Sequence, residues 1–130
     1  MNDETKIRSL LEKWADATRN DRKDELLSGH DSDALIYDVL PPMMYEGTDA
    51  YRRSWDEWQP PFAAPSLFEI HDLKVAVGGD LAWAHCIVRC GGKLPDGREV
   101  EDEVRATFCL AMVNDRWKIQ HQHLSMPLPQ

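Results

Sequence analysis

The sequence predicts a single α+β domain, residues 1–130, in which three N-terminal helices pack on a curved mixed or antiparallel sheet. Three observations predict it. Helical spacing of apolar residues is confined to the part of the chain before Pro60. Long extended segments follow Leu67. Those segments are separated only by short turn clusters, which join neighbouring antiparallel strands.

The first helix starts at a cap supplied by Asn2 or Asp3 and runs to Asn20. Ile7, Leu10, Leu11, Trp14 and Thr18 share one face, and the charged residues fall largely elsewhere. Asp21 caps a short second helix, Arg22 to Ser28, which Gly29 ends. Asp31-Ser32-Asp33 reads as a turn, and Ala34 to Val39 as a short strand stopped by Pro41-Pro42. Thr48 caps a third helix, Asp49 to Gln59. Its Tyr51, Trp55 and Trp58 form an aromatic stripe, and Pro60-Pro61 terminates it.

Four strands complete the chain: Leu67–Val77, Leu81–Cys90, Arg98–Val113 and Arg116–Met126. Gly78-Gly79-Asp80 and Asn114-Asp115 are tight hairpin turns. Long strands twist and coil, so helices laid across them leave a cone with one open end. Its apolar walls are expected from Trp14, Tyr37, Trp55, Trp58 and Phe62. Alternate strand residues share a face, which groups His85, Arg105, Thr107, His121 and His123 as a polar floor. The opposite parities are also apolar, as at Ala106, Phe108 and Leu110. A sheet apolar on both faces is covered on both, so a homodimer packed through the sheet is expected.

Composition narrows the function classes. The chain is 42% hydrophobic and 29% charged, with a net charge of −8. Such a surface repels phosphate backbones, so neither nucleic acid nor an anionic membrane is an expected partner. Cys86, Cys90 and Cys109 are odd in number and irregular in spacing. They suggest free thiols and a reducing compartment, with the cytoplasm as the expected location. The polar start, Met1-Asn2-Asp3-Glu4, does not read as a signal peptide, and no apolar run reaches the roughly 20 residues of a membrane helix. No phosphate loop, nucleophile elbow or CxxC pair is present. His121 and His123 share a strand face, but nothing in the sequence fixes a third ligand, so neither metal nor cofactor is expected.

Leu35-Ile36-Tyr37-Asp38, then Tyr45-Glu46-Gly47 leading into Asp49-Ala50-Tyr51, and finally Asn114-Asp115-Arg116-Trp117-Lys118-Ile119 before His121-x-His123-x-Ser125, follow one another in a distinctive order. In this order the chain resembles the NTF2-like superfamily, which includes the SnoaL-like polyketide cyclases and the ketosteroid isomerases. The resemblance covers nearly the whole chain and implies a cone-shaped pocket for a small molecule. It places the isomerases' catalytic carboxylate on Asp38. Their tyrosine donor falls on Trp14, which has no phenol, and their protonated acid falls near Thr107 or Cys109, neither of which is a carboxylic acid. The last motif also resembles the association domain of calcium/calmodulin-dependent kinase, an oligomerisation module.

Two functions follow as expectations. The first is cofactor-free acid/base catalysis on a small apolar molecule: isomerisation, cyclisation or dehydration. A carboxylate flanked by Tyr37, Val39 and Leu40 sheds water and becomes a stronger base, so Asp38 would move the proton. His121 and His123 would transfer protons or polarise an oxygen, or else hold the sheet together as bonded imidazoles. The second is a ligand-binding or oligomerisation module without turnover.

Overall fold

A computed structural model of the chain describes residues 2–129. The element order is α1 (Asp3–Arg19), α2 (Lys23–Leu26), β1 (His30–Tyr37), β2 (Tyr45–Glu46), α3 (Thr48–Glu57), β3 (Leu67–Gly78), β4 (Leu81–Lys93), β5 (Glu99–Val113) and β6 (Arg116–Ser125). The strands form one mixed sheet in the order β2-β1-β6-β5-β4-β3. β1 runs parallel to β6, and the other neighbouring pairs are antiparallel. Among the described residues no helix is long and apolar enough to cross a membrane.

Local chemistry explains most boundaries. The Asn2 side chain accepts the Thr5 N–H at 2.8 Å and caps α1, whose first turn carries Asp3 and Glu4 against the positive end of the helix dipole. Asn114 and Asp115 both take left-handed backbone angles, as a two-residue hairpin with the twist of its strands requires. Several expected boundaries move: β1 ends at Tyr37 rather than Val39, and β4 runs past Cys90 to Lys93. The second helix shrinks to one turn, with Arg22 rather than Asp21 at its cap. The third starts at Thr48 behind Gly47, so Thr48 is not its cap. Asp31-Ser32-Asp33 belongs to β1, which starts at His30 and carries an irregularity before Leu35.

One sheet face packs under the helices. Ile7, Leu11 and Trp14 of α1 meet Ala84, Val88, Val104, Ala106 and Phe108. Alanines at 82, 84 and 106 let the helix approach closely, and Trp14 sets its ring edge-on to Phe68 and Phe108 at 5.0 and 5.1 Å. α3 makes a smaller cluster on β1, in which Ile36, Tyr45 and Tyr51 are buried.

The last strand changes face midway. β6 pairs Ile119 with Leu110 but His121 with Cys109, so Gln120 is an extra residue opposite the β5 ladder. Such a bulge reverses the parity beyond it. Trp117 and Ile119 point into the core, and after the bulge the inward residues are Gln122 and Leu124.

Candidate functional site

An open cavity of about 910 Å³ lies between the helices and the near end of the sheet. Its wall carries a set of aromatic side chains. Trp14 comes from α1, Tyr51 and Trp55 from α3, and Trp58 and Phe62 from the segment after α3. The strands contribute Phe68, Val104 and Leu124. Trp58 stands at the C-terminal cap of α3 and remains 43% exposed at the rim.

Asp38 reaches this cavity by strand alternation. Ile36 is inward and fully buried, Tyr37 points to the other face, and Asp38 follows on the inward side just past the strand end. Its carboxylate is held from two directions. The Val39 N–H donates to Oδ1 at 2.7 Å, and the Tyr51 hydroxyl donates to Oδ2 at 2.9 Å. Burial first, and the Asp38 charge second, hold the Tyr51 phenol well above its ordinary value, so it remains a donor. Tyr51 is itself braced edge-on by Tyr45 at 5.0 Å and by Trp55 at 6.3 Å.

Asp102 is the second carboxylate on the inward parity of the strands, two residues before buried Val104. It pairs across the sheet with Cys90, which also lines the cavity. Burial pushes the Cys90 thiol up to about 11, and the charges of Asp102 and Asp38 act in the same direction. A thiol so placed is a packing group rather than a nucleophile. Gly91 beside it is required by sterics. Its φ is +142°, and a Cβ would come within 1.9 Å of the Val100 carbonyl oxygen.

Of the residues singled out in the sequence, the cavity gathers Asp38, Trp14, Trp55, Trp58 and Phe62. Tyr37, His85, Arg105, Thr107, His121 and His123 lie together on the opposite face of the sheet. Three ladder rows display them: Lys74–His85–Thr107–His123–Tyr37, Ala76–Trp83–Cys109–His121–Leu35 and Ile87–Arg105–Ser125. Tyr37 stands edge-on between the two imidazoles, 4.7 Å from His121 and 5.1 Å from His123. His121 Nδ1 lies 2.8 Å from the Leu35 carbonyl, so this nitrogen carries the proton and donates. His85 stacks on Trp83, and Arg105 Nε donates to Ser125 Oγ at 3.2 Å. The expected polar floor is therefore an outer surface, and the small and apolar parity of β4 and β5 is the inward one. Both parities are rich enough in apolar residues that alternation could not choose between them. The bulge at Gln120 then carries the histidines outward although Trp117 and Ile119 point in.

Tyr51 and Asp102 are cavity residues to which the sequence pattern gave no functional role. Tyr51 could have been found from its place on the stripe with Trp55, and Asp102 from its shared parity with Val104. Among the described residues no three His, Cys, Asp or Glu side chains gather as a metal ligand set.

Comparison with known proteins agrees with this architecture. A family model described as a SnoaL-like domain matches residues 7–129. A search of curated proteins finds no match. An NTF2-like protein of unknown function from Pseudomonas putida KT2440 superposes with a TM-score of 0.86 at 29% identity, covering 98% of this chain and 88% of that one. A Novosphingobium aromaticivorans protein proposed to be a scytalone dehydratase gives 0.83 at 15% identity, over 96% and 84% of the two chains. The association domain of CaMKII from C. elegans gives 0.74 at 15% identity, over 95% of each.

Proposed function

Because the chain belongs to the SnoaL-like family, we propose that it performs cofactor-free acid/base chemistry on a small, mostly apolar molecule, with Asp38 taking and returning the proton. One observation carries this reading: the Asp38 carboxylate sits on the wall of an aromatic-lined cavity, held by the Tyr51 hydroxyl and the Val39 N–H. A base held by two bonds needs little reorganisation when a substrate C–H approaches. The aromatic walls would exclude water and present flat apolar surface to the substrate. Isomerisation, cyclisation and dehydration all begin with such a proton removal. They differ in whether the proton returns, a ring closes, or hydroxide leaves. His121 and His123 have no part in this step, since the sheet stands between them and the cavity.

A second copy of the chain is our proposal for the outer sheet face. Trp83 is 49% exposed and Leu81 67%, and with Ile87 and Cys109 they form an apolar strip on that face, beyond which lie Arg89, Glu103 and Arg105. A role confined to oligomerisation, as the CaMKII association domain's description implies for that protein, is the alternative this face favours.

The catalytic reading is tested with 5-nitrobenzisoxazole, a neutral aromatic carbon acid. A base removes its C3 proton while the N–O bond breaks, releasing a coloured cyanophenolate and needing no cofactor. Asp38→Asn keeps an oxygen that can accept the Tyr51 bond but removes the base. The wild type is expected to accelerate the elimination, and Asp38→Asn to lower that rate about 10²-fold. Equal rates in the two proteins would end the assignment.

A further inference from the structure

The charges around the cavity are one-sided. Its wall carries the carboxylates of Asp21, Asp38, Asp56, Glu57 and Asp102, against the cations Arg19 and Lys23. Both cations are already engaged. Lys23 Nζ lies 3.5 Å from Asp56 Oδ1, and Arg19 pairs with Asp16 at 3.2 Å while also donating to the Phe68 carbonyl. Among the described residues no cation comes within ion-pair distance of Asp21, Asp38, Glu57 or Asp102. The cavity therefore holds uncompensated negative charge on a protein whose net charge is already −8.

Two of those carboxylates, Asp38 and Asp102, line the cavity together with the half-buried Cys90, which Asp102 pairs with across the β4–β5 ladder. Gln59 also lines the cavity, buried at 9% exposure, with its amide nitrogen donating to Ser54 Oγ at 3.3 Å. The surrounding wall includes Trp14, Trp55 and Trp58, and tryptophan is the side chain that attracts cations best through its ring.

We infer that the cavity selects a cation: an ammonium group on an aromatic or branched apolar body, its charge between Asp38 and Asp102 and its body against the tryptophans. This inference rests on reading the cavity as the ligand site. An anion would meet the four unpaired carboxylates, and a neutral molecule of the same shape would gain only the apolar contact.

The test compares benzyltrimethylammonium with its neutral isostere neopentylbenzene and with benzoate, by ligand-observed NMR on the whole chain. The ammonium is expected to bind at least about tenfold more tightly than the isostere, and benzoate not at all. Asp102 is exposed, so Asp102→Asn leaves the fold intact. It is expected to weaken the ammonium about fivefold and leave the isostere unchanged. Equal affinities for the charged and neutral probes, no binding of the ammonium at any soluble concentration, or unchanged ammonium affinity in Asp102→Asn would each overturn the inference. The elimination probe is neutral, so Asp38-dependent turnover can survive the loss of cation preference, and the two failures are separable.

Discussion

The Tyr51 hydroxyl donates to Asp38 Oδ2 across 2.9 Å, and this bond ties α3 to the end of β1 at the cavity wall. It has a spectroscopic consequence. Burial and the neighbouring carboxylate hold the phenol well above the ordinary value of 10.0. The folded chain keeps Tyr51 neutral where the unfolded chain would ionise it. Stability is therefore full below pH 10.0 and declines as the pH rises above it. Of the three tyrosines, Tyr51 should ionise only as the protein unfolds in alkali. Phenolate absorbance followed beside circular dichroism should show this late phase, and Tyr51→Phe should remove it. Complete ionisation by about pH 10 with the fold intact would contradict the assignment.

A second buried polar pair makes stability sensitive to acid. His30 Nε2 lies 2.7 Å from Gln122 Oε1, and Gln122 is fully buried on the inward face of β6. Burial lowers the His30 pKa from 6.5 to about 4, although the Gln122 bond acts the other way. The unfolded chain takes up a proton below pH 6.5 that the folded chain refuses until about pH 4. The fold is thus at full strength above 6.5 and weakens through that window. Across all of it His30 alone costs about 3 kcal/mol. Urea unfolding at pH 7 and pH 5 should show wild type losing about 2 kcal/mol more than His30→Gln does. Equal losses in both proteins would show that the imidazole is protonated inside the fold.

Gly91 sets the shape of the cavity rim. At φ +142° any side chain is strained, and a Cβ would sit 1.9 Å from the Val100 carbonyl oxygen, a backbone atom of the adjoining strand that cannot swing aside. Gly91→Ala should destabilise the protein by roughly 2 kcal/mol or more and weaken ligand binding, because β4 and β5 must separate where Val100 and Asp102 line the wall. Gly79 also has a positive φ, +62°, but nothing lies within 4 Å of where its Cβ would stand, so Gly79→Ala should cost less. Equal midpoints in denaturant for the two variants would place the cost in backbone angle alone.

Much of this fold was legible because its punctuation is local. The hairpins at Gly78-Gly79-Asp80 and Asn114-Asp115 are made of residues that tolerate left-handed angles, and long β-rich runs lie between them. Asp38 was singled out by the resemblance, which sets the isomerases' carboxylate at the end of the first strand. The face of His121 and His123 was not legible. One inserted residue, Gln120, reverses the parity of β6, and nothing in Trp117 to Ser125 distinguishes a bulged strand from a regular one. Asp31-Ser32-Asp33 looked like a turn for a similar reason: pairing with β6 resumes across an irregular stretch that local propensity reads as a break.

The outer face leads to the last prediction. Trp83 stacks on His85 with ring centroids 5.4 Å apart and planes 6° from parallel, and Leu81 extends the apolar strip along β4. A stable homodimer buries about 800 Å² on each partner, an area that a face of several long strands can supply. Trp83→Glu would place a carboxylate at the centre of that contact in both copies, on chains that already repel through their net charge of −8. Sedimentation should give wild type at twice the 14.9 kDa of one chain and Trp83→Glu at the single-chain mass. Circular dichroism should be unchanged, since Trp83 takes no part in the buried core. A monomeric wild type would leave the apolar outer face without the partner proposed for it.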